Sequence, residues 1–326
     1  MSKLTIALPA TNYFKIKCDI DKAKFPDEKK MNNFKGSVFM ILAMFAFTLE
    51  DFFLKKATKF VPLGEILIIC GLLGVIFFLG CSFIAKQNII YKESLSAILI
   101  VRSIFEISGR VFYALAIAMM PITNASAILQ ATPIVVVLGA VIFLKEKVGW
   151  RRWGAILFGF FGVLLIIQPG AEGFNIFSIF AVLGMIGFAG RDLATRMSPS
   201  NMSNFQLGTF GFLMVFISGI LITLFNLFIF PSNAVWINIS AKNLGFIIAN
   251  GVAGIIAYQC LTIAMRNGDV SFVTPFRYVR VLFALFFGVI LLGEEPNILV
   301  LSGSLVVVLS GIYIILRRRD VNINNR

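Results

Sequence analysis

Histidine is missing from this chain altogether, and with it go Ser-His-Asp triads, imidazole-bound zinc and histidine proton relays. Cysteine is scarce. Cys18, Cys70, Cys81 and Cys260 show no Cys-x-x-Cys spacing, and three of them lie in or beside apolar runs, where thiols are buried and inert. Residues Met1 to Asn33 are polar and basic and lack the apolar core of a signal peptide, so they read as a cytoplasmic tail. Acidic residues are outnumbered, 16 against 29 Lys and Arg, for a net charge of +13. Yet no basic-aromatic patch large enough for nucleic acid occurs, and no nucleic-acid partner is expected. Without histidine or a metal-ligand cluster, hydrolase and metalloenzyme chemistry is disfavoured, and no cofactor or metal is expected.

What the chain does have is apolar length. Of its 326 residues 59% are hydrophobic, against about 45–50% in a soluble domain, and the mean hydropathy is +0.92. Apolar runs of about 20 residues, long enough to cross a hydrocarbon core, recur along the sequence without the dyad alternation of a barrel. Hydrocarbon cannot satisfy backbone polar groups, so these runs predict helices. The fold class is therefore an all-α membrane protein. Ten spans are expected: Phe34 to Leu54, Leu63 to Ala85, Leu95 to Ala118, Ile122 to Leu144, Trp150 to Ile167, Phe174 to Thr195, Phe205 to Phe230, Leu244 to Met265, Val270 to Leu292 and Ile298 to Leu316. With both termini in the cytoplasm, alternate connections carry 20 basic residues inside and 4 outside (Lys55, Lys56, Lys59 and Lys242), as membrane orientation requires. The expected location is the bacterial inner membrane, with both tails, 1–33 and 317–326, on the cytoplasmic side.

The segment "IAMMPITNASAILQATPIVVVLGAVIFLKEK" aligns with "IAMRNGDVSFVTPFRYVRVLFALFFGVILLGEE" at an offset of 146 residues at Ile117 and 148 at Glu146. Five spans separate equivalent points, so equivalent helices cross in opposite directions. That is the inverted-repeat plan of many secondary transporters, whose substrate site lies at the repeat interface. The stretch "ASAILQATPIVVVLGAVIFLKEKVGWRRWGAILFGFFGVLLIIQPG" resembles the first EamA repeat of the drug/metabolite transporter superfamily. The resemblance implies ten helices as two inverted EamA repeats, 34–168 and 174–316. The blocks "GRDLATR" and "PFRYVR" further resemble a branch in which S-adenosylmethionine uptake transporters occur. Other branches carry amino acids, riboflavin or drugs, and fold does not fix substrate.

Ionisable residues at membrane depth cost about 2.5–3.5 kcal/mol each on insertion scales, so those present are the informative ones. Arg102, Glu106 and Arg110 share one face of the third span and are substrate-binding candidates: either Glu106 serves both arginines as an internal ladder, or one arginine is left incompletely neutralised and meets an anionic group on the substrate. Arg277 and Arg280 share a face just after Pro275, which opens the helix locally, and they read as an anion clamp. Asp192 can pair with Arg196, one turn on, which also serves as a positive-inside anchor, while Arg191 and Asp192 are expected to pair with other helices rather than to touch substrate. Glu50 and Asp51 either pair at the interface with Lys55 and Lys56 or carry a proton. Candidate coupling groups are thus Glu50, Asp51, Glu106 and Asp192, because lysines are absent from mid-span. Gln130, Asn250 and Tyr258 are neutral candidates for the ligand, and Tyr278 could stack on a planar group. Gly184, Gly187 and Gly190, three apart, predict close approach of another helix.

Five intramembrane arginines against four acids leave one positive charge over, which favours a substrate with a carboxylate or phosphate. The resulting expectation is a secondary transporter moving a small charged, amino-acid-derived metabolite by alternating access, with S-adenosylmethionine as one such compound. The alternatives are an exporter of amino acids or drugs on the same fold and a membrane-embedded lipid-modifying enzyme. The expected partners are that small molecule, the lipid bilayer and a second copy of the chain in a homodimer.

Overall fold

The computed structural model describes residues 26–88, 96–119, 128–167, 177–229, 239–292 and 298–316. Both expected tails fall mostly outside these residues, as do the turns at Gln168-Pro169-Gly170, Pro231-Ser232-Asn233 and Glu295-Pro296-Asn297.

Every regular element among the described residues is a helix. The first half supplies α1 (Pro26–Ala57), α2 (Leu63–Ile84), α3 (Ala97–Met119), α4 (Thr132–Phe143) and α5 (Trp150–Ile167). The second supplies α6 (Ser178–Met197), α7 (Asn204–Ile229), α8 (Ala241–Asn267), α9 (Val270–Val273), α10 (Val279–Leu292) and α11 (Ile298–Leu316). Helix α1 starts well before Phe34, the expected opening of the first span. Proline lacks the amide that the first turn of a helix leaves unsatisfied in any case, so Pro26 can open it. Ser203 starts α7 with a capping box: the Gln206 amide donates to its hydroxyl at 3.1 Å, and its own amide donates to Gln206 Oε1 at 2.7 Å.

The stretch expected as the ninth span is broken, as Pro275 predicts. Between α9 and α10 the chain tightens into a 3-10 turn over Thr274–Tyr278. Proline offers no amide there, and the change of pitch re-aims the side chains that follow.

Six stretches are long and apolar enough to cross a membrane: Asn32–Ala57, Leu63–Ile84, Ser178–Met197, Asn204–Phe228, Ala241–Asn267 and Val270–Phe287. Helices within Thr132–Phe143 and Leu301–Ser310 are apolar but shorter. Outward-facing Ile76, Phe83, Ile84 and Phe228 are more than two-thirds exposed, the surface expected where the solvent is lipid.

The helices pack in reciprocal pairs across the two halves. α1 lies on α8 and α6 on α3, while α2 lies on α7 and α5 on α11. Numbered within each half, first meets third twice over, second meets second, and fifth meets fifth. Two of these crossings depend on glycine. A Cβ on Gly187 of α6 would stand 2.5 Å from the Gly109 nitrogen and 2.6 Å from its Cα in α3. On Gly71 of α2 it would stand equally close to the Phe216 backbone in α7. Gly184 and Gly190 face Tyr113 and Phe105 of α3, so the stripe spaced by three is the α3 contact surface.

Candidate functional site

Helices α1, α3, α6, α8 and α10, with the 3-10 turn, bring nine ionisable side chains together in the interior. The expected ladder on α3 is half correct. Arg110 Nε donates to Glu106 Oε1 at 3.3 Å, one turn apart. The second guanidinium on Glu106 belongs to Arg191 of α6, whose Nη1 lies 3.2 Å from Oε1 and 3.4 Å from Oε2. The glycine crossing between α3 and α6 permits this pairing, because backbone contact leaves the two charged groups within reach.

Arg102 turns away from Glu106. Its Nε donates to Thr195 Oγ1 at 2.9 Å, its Nη2 donates to the Tyr258 hydroxyl and to the Leu207 carbonyl, and its Nη1 has no partner. Tyr258 in turn donates to Glu106 Oε2 at 3.2 Å, so one hydroxyl separates Arg102 from the acid it was expected to meet. Among the described residues Arg102 meets no carboxylate, although it is fully buried. It is the positive charge left over in the sequence tally.

Asp192 bonds Arg191, whose Nε donates to Oδ1 at 2.9 Å, and Arg277, which donates to Oδ2. Arg191 and Asp192 thus pair with other elements, as expected, through Glu106 and Arg277, while Arg196 donates to the carbonyls of Met265 and Arg266 on α8. The pair expected to form a clamp is divided. Arg277, on the 3-10 turn, goes to Asp192, and Arg280, on α10, goes to Asp51 through Nε at 3.2 Å and through Nη2. Two adjacent guanidinium groups repel, and each finds a carboxylate on a different helix.

Glu50 and Asp51 do not use Lys55 and Lys56. Glu50 faces inward over Gly254 of α8, with Arg110 Nη1 at 3.8 Å, while Lys56 lies over the Phe52 ring. Asn250 is committed to structure. Its Nδ2 donates to the Glu50 carbonyl at 2.7 Å, and Cys70 donates to its Oδ1 at 3.1 Å. Gln130, half-buried ahead of α4, takes no part in these bonds. Tyr278 is not placed to stack on a ligand beside the arginines. It is buried among Val163, Val281 and Val307 toward α5 and α11, because neighbouring residues on the turn point to opposite sides.

Arg191 and Thr195 are the members that sequence reasoning left out of the site. Arg191 touches both buried acids and lies over the rings of Phe188 and Tyr258. Its signal was an Arg-Asp pair in an apolar helix, which insertion cost makes informative. Among the described residues no group of three or more His, Cys, Asp or Glu side chains lies where it could hold a metal ion.

The network is sealed at one end and open at the other. Arg102 and Glu106 are inaccessible, Arg110 and Glu50 are 16% and 17% exposed, and Arg280 and Asp51 reach 24% and 54%. Beyond the sealed end the connections are fastened together. Arg266 donates to the Met202 carbonyl at 2.7 Å, Asn204 Oδ1 at 2.9 Å and the Pro199 carbonyl at 3.1 Å. Asn33 of α1 bonds Asp269, and Glu146 accepts from the amides of Val270 and Ser271 at 3.0 and 3.1 Å.

Comparison with known proteins agrees with this architecture. The chain is 24% identical over 276 residues to the pseudopaline exporter of Pseudomonas aeruginosa, covering 84% of this chain and 94% of that one. It is 24% identical over 224 residues to the S-adenosylmethionine uptake transporter of Rickettsia conorii, covering 69% and 73%. To the riboflavin transporter of Vibrio cholerae it is 28% identical over 207 residues, covering 60% and 63%. A crystal structure 16% identical in sequence superposes with a TM-score of 0.70 over 90% of this chain and 99% of the other, which shows a shared fold. The EamA-like transporter family matches twice, at residues 34–168 and 175–317, and so accounts for most of the length. The chain belongs to that family, and is a multi-pass membrane transporter of a small metabolite rather than an enzyme.

Proposed function

We propose that the chain is a secondary transporter of the inner membrane, with ten spans in two inverted five-helix halves, and that it moves a small amino-acid-derived metabolite carrying a carboxylate and an amine. The observation that carries this reading is the ion pair of Arg280 and Asp51, which lies at the open end of an otherwise buried network. An internal pair exposed in this way can be exchanged for a ligand's own pair. The substrate carboxylate takes Arg280 and its ammonium takes Asp51, and the charge of the site does not change. A ligand with only one of the two charges would leave a partner uncompensated at the edge of a low-dielectric interior, which is costly. The reciprocal packing of α1 on α8 and α6 on α3 supports two halves related by a pseudo-two-fold, since each supplies the same position to the other, and the odd number of spans between equivalent points favours inversion. The fastened end corresponds to the connections expected in the cytoplasm, so the conformation described is open toward the outside.

S-adenosylmethionine, the compound named for the Rickettsia relative, has both charged groups, brings a sulfonium cation in addition, and is the first substrate to test. Purified protein in liposomes should exchange labelled S-adenosylmethionine or a labelled amino acid across the membrane. Arg280→Gln and Asp51→Asn should each lose affinity by roughly ten- to hundredfold, the loss of one charge-assisted bond. Arg280→Lys should recover part of it, keeping the charge without the fork. Parent-like affinity in all three variants at unchanged thermal stability would sink the assignment.

A further inference from the structure

Arg110 stands between two carboxylates on unequal terms. Glu106, on its own helix, is fully buried, takes Arg110 at 3.3 Å, and is also bonded by Arg191 and by the Tyr258 hydroxyl. Glu50, on α1, is 17% exposed and has Arg110 Nη1 at 3.8 Å, the outer edge of an ion pair. The other groups that face Glu50 are Asp51 on its own helix, Glu106 on α3, Arg280 on α10 and the Cys70 thiol on α2. From α8 it meets only neutral atoms, since Asn250 donates to its backbone carbonyl and not to its carboxylate, and Gly254 offers no side chain.

The two acids of the network on either side of Glu50 are better held. Asp192 accepts from two guanidinium groups, and Asp51 accepts from two nitrogens of Arg280. Glu50 is thus the acid of this network that combines partial exposure with a long contact to its guanidinium.

We propose that Glu50 is the proton-binding site of the transporter and that it shares Arg110 with the substrate. The inference rests on the substrate reading above and names the coupling ion for the same site. With Glu50 ionised, Arg110 is divided between two carboxylates, and a substrate carboxylate meets Arg280 alone. When a proton neutralises Glu50, Arg110 Nη1 is released and joins Arg280 on the substrate. One proton is added, one substrate carboxylate replaces the Glu50 carboxylate as the partner of Arg110, and the net charge around that guanidinium is unchanged. Proton and substrate therefore favour each other's binding, and by linkage each does so by the same factor. Glu106 stays ionised throughout as the fixed counter-charge of Arg110 and Arg191.

Two measurements test this, one of them free of any substrate. Infrared difference spectra of the full chain in liposomes, titrated between about pH 5 and pH 8, should show a protonated-carboxyl band. The band should vanish in Glu50→Gln, shift in Glu50→Asp and persist in Asp51→Asn. No band in the parent, or a band that survives Glu50→Gln, overturns the proposal. The second measurement is S-adenosylmethionine binding and transport. Affinity of the parent should fall by roughly ten- to hundredfold as pH rises through the midpoint of the band and then level off, because the ionised form withholds Arg110 but keeps Arg280 for the substrate. Glu50→Gln should bind at all pH values like the protonated parent and exchange substrate, yet fail to accumulate it against a gradient when a pH difference is imposed. A pH-dependent affinity that survives Glu50→Gln counts against the proposal. If the infrared result holds and no variant moves S-adenosylmethionine, the proton site stands and the substrate assignment falls.

Discussion

Replacing Asp192 by asparagine keeps the shape of the side chain, removes its charge, and exchanges one of its two accepting oxygens for an amide nitrogen that can only donate. Asp192 is 2% exposed in its side chain, and it accepts from Arg191 at 2.9 Å and from Arg277. After the change Arg191 still has Glu106 at 3.2 Å, whereas Arg277 loses its one carboxylate among the described residues. One guanidinium, only 11% exposed, is then left without a counter-charge in the interior. Breaking a buried pair from one side costs about 3–5 kcal/mol, and at roughly 2–4 °C per kcal/mol the unfolding midpoint should fall by about 10 °C. Thermal unfolding of the purified protein in detergent, followed by reactivity of the buried Cys70 thiol, reads this directly. Removing the stranded cation as well should return most of the loss, so Asp192→Asn with Arg277→Met should unfold closer to the parent than Asp192→Asn alone. A single variant as stable as the parent, or a double variant no better than the single, would refute the pairing and the reasoning built on it.

Gly187→Val should force α3 and α6 apart, since even a Cβ would stand 2.5 Å from the Gly109 nitrogen, and the cost should be about 1–3 kcal/mol or more. An unfolding midpoint equal to the parent's would show that the crossing is looser than described. The orientation follows from the distribution of basic residues. A cysteine placed at Lys147 should be protected from an impermeant thiol reagent in intact cells and one at Glu172 should be labelled, and the reverse pattern would invert the topology.

Much of the helical framework can be read from the chain because its causes are local. Pro275 predicts an opened helix from the missing amide alone, and the 3-10 turn over Thr274–Tyr278 is that opening. The glycine stripe on α6 predicts a close neighbour in the same way, and α3 is that neighbour. The tally of five arginines against Glu50, Asp51, Glu106 and Asp192 anticipates one guanidinium without a carboxylate in this network, although Glu65 of α2 is a further buried acid that it passed over. Which arginine that is could not be read locally. Arg102 and Arg191 compete for Glu106, and the outcome depends on how α6 lies against α3 and where α8 brings Tyr258. Spacing along one helix offered Arg102. Packing chose Arg191. The division of Arg277 from Arg280 has the same origin, because Asp192 and Asp51 lie on different helices far away in sequence.

The fastening at the sealed end has a bearing on how such a protein changes over time. Two of the three acceptors that Arg266 reaches, at Pro199 and Met202, are main-chain carbonyls, and Arg196 likewise reaches the main chain of Met265 and Arg266. A main-chain carbonyl is present whatever residue stands at the position. The connection between α6 and α7 can therefore drift in sequence while its backbone path keeps the grip, whereas one substitution at Arg266 removes three bonds at once. New specificities can be tried among the side chains at the open end against a closure written in backbone geometry and two guanidinium groups.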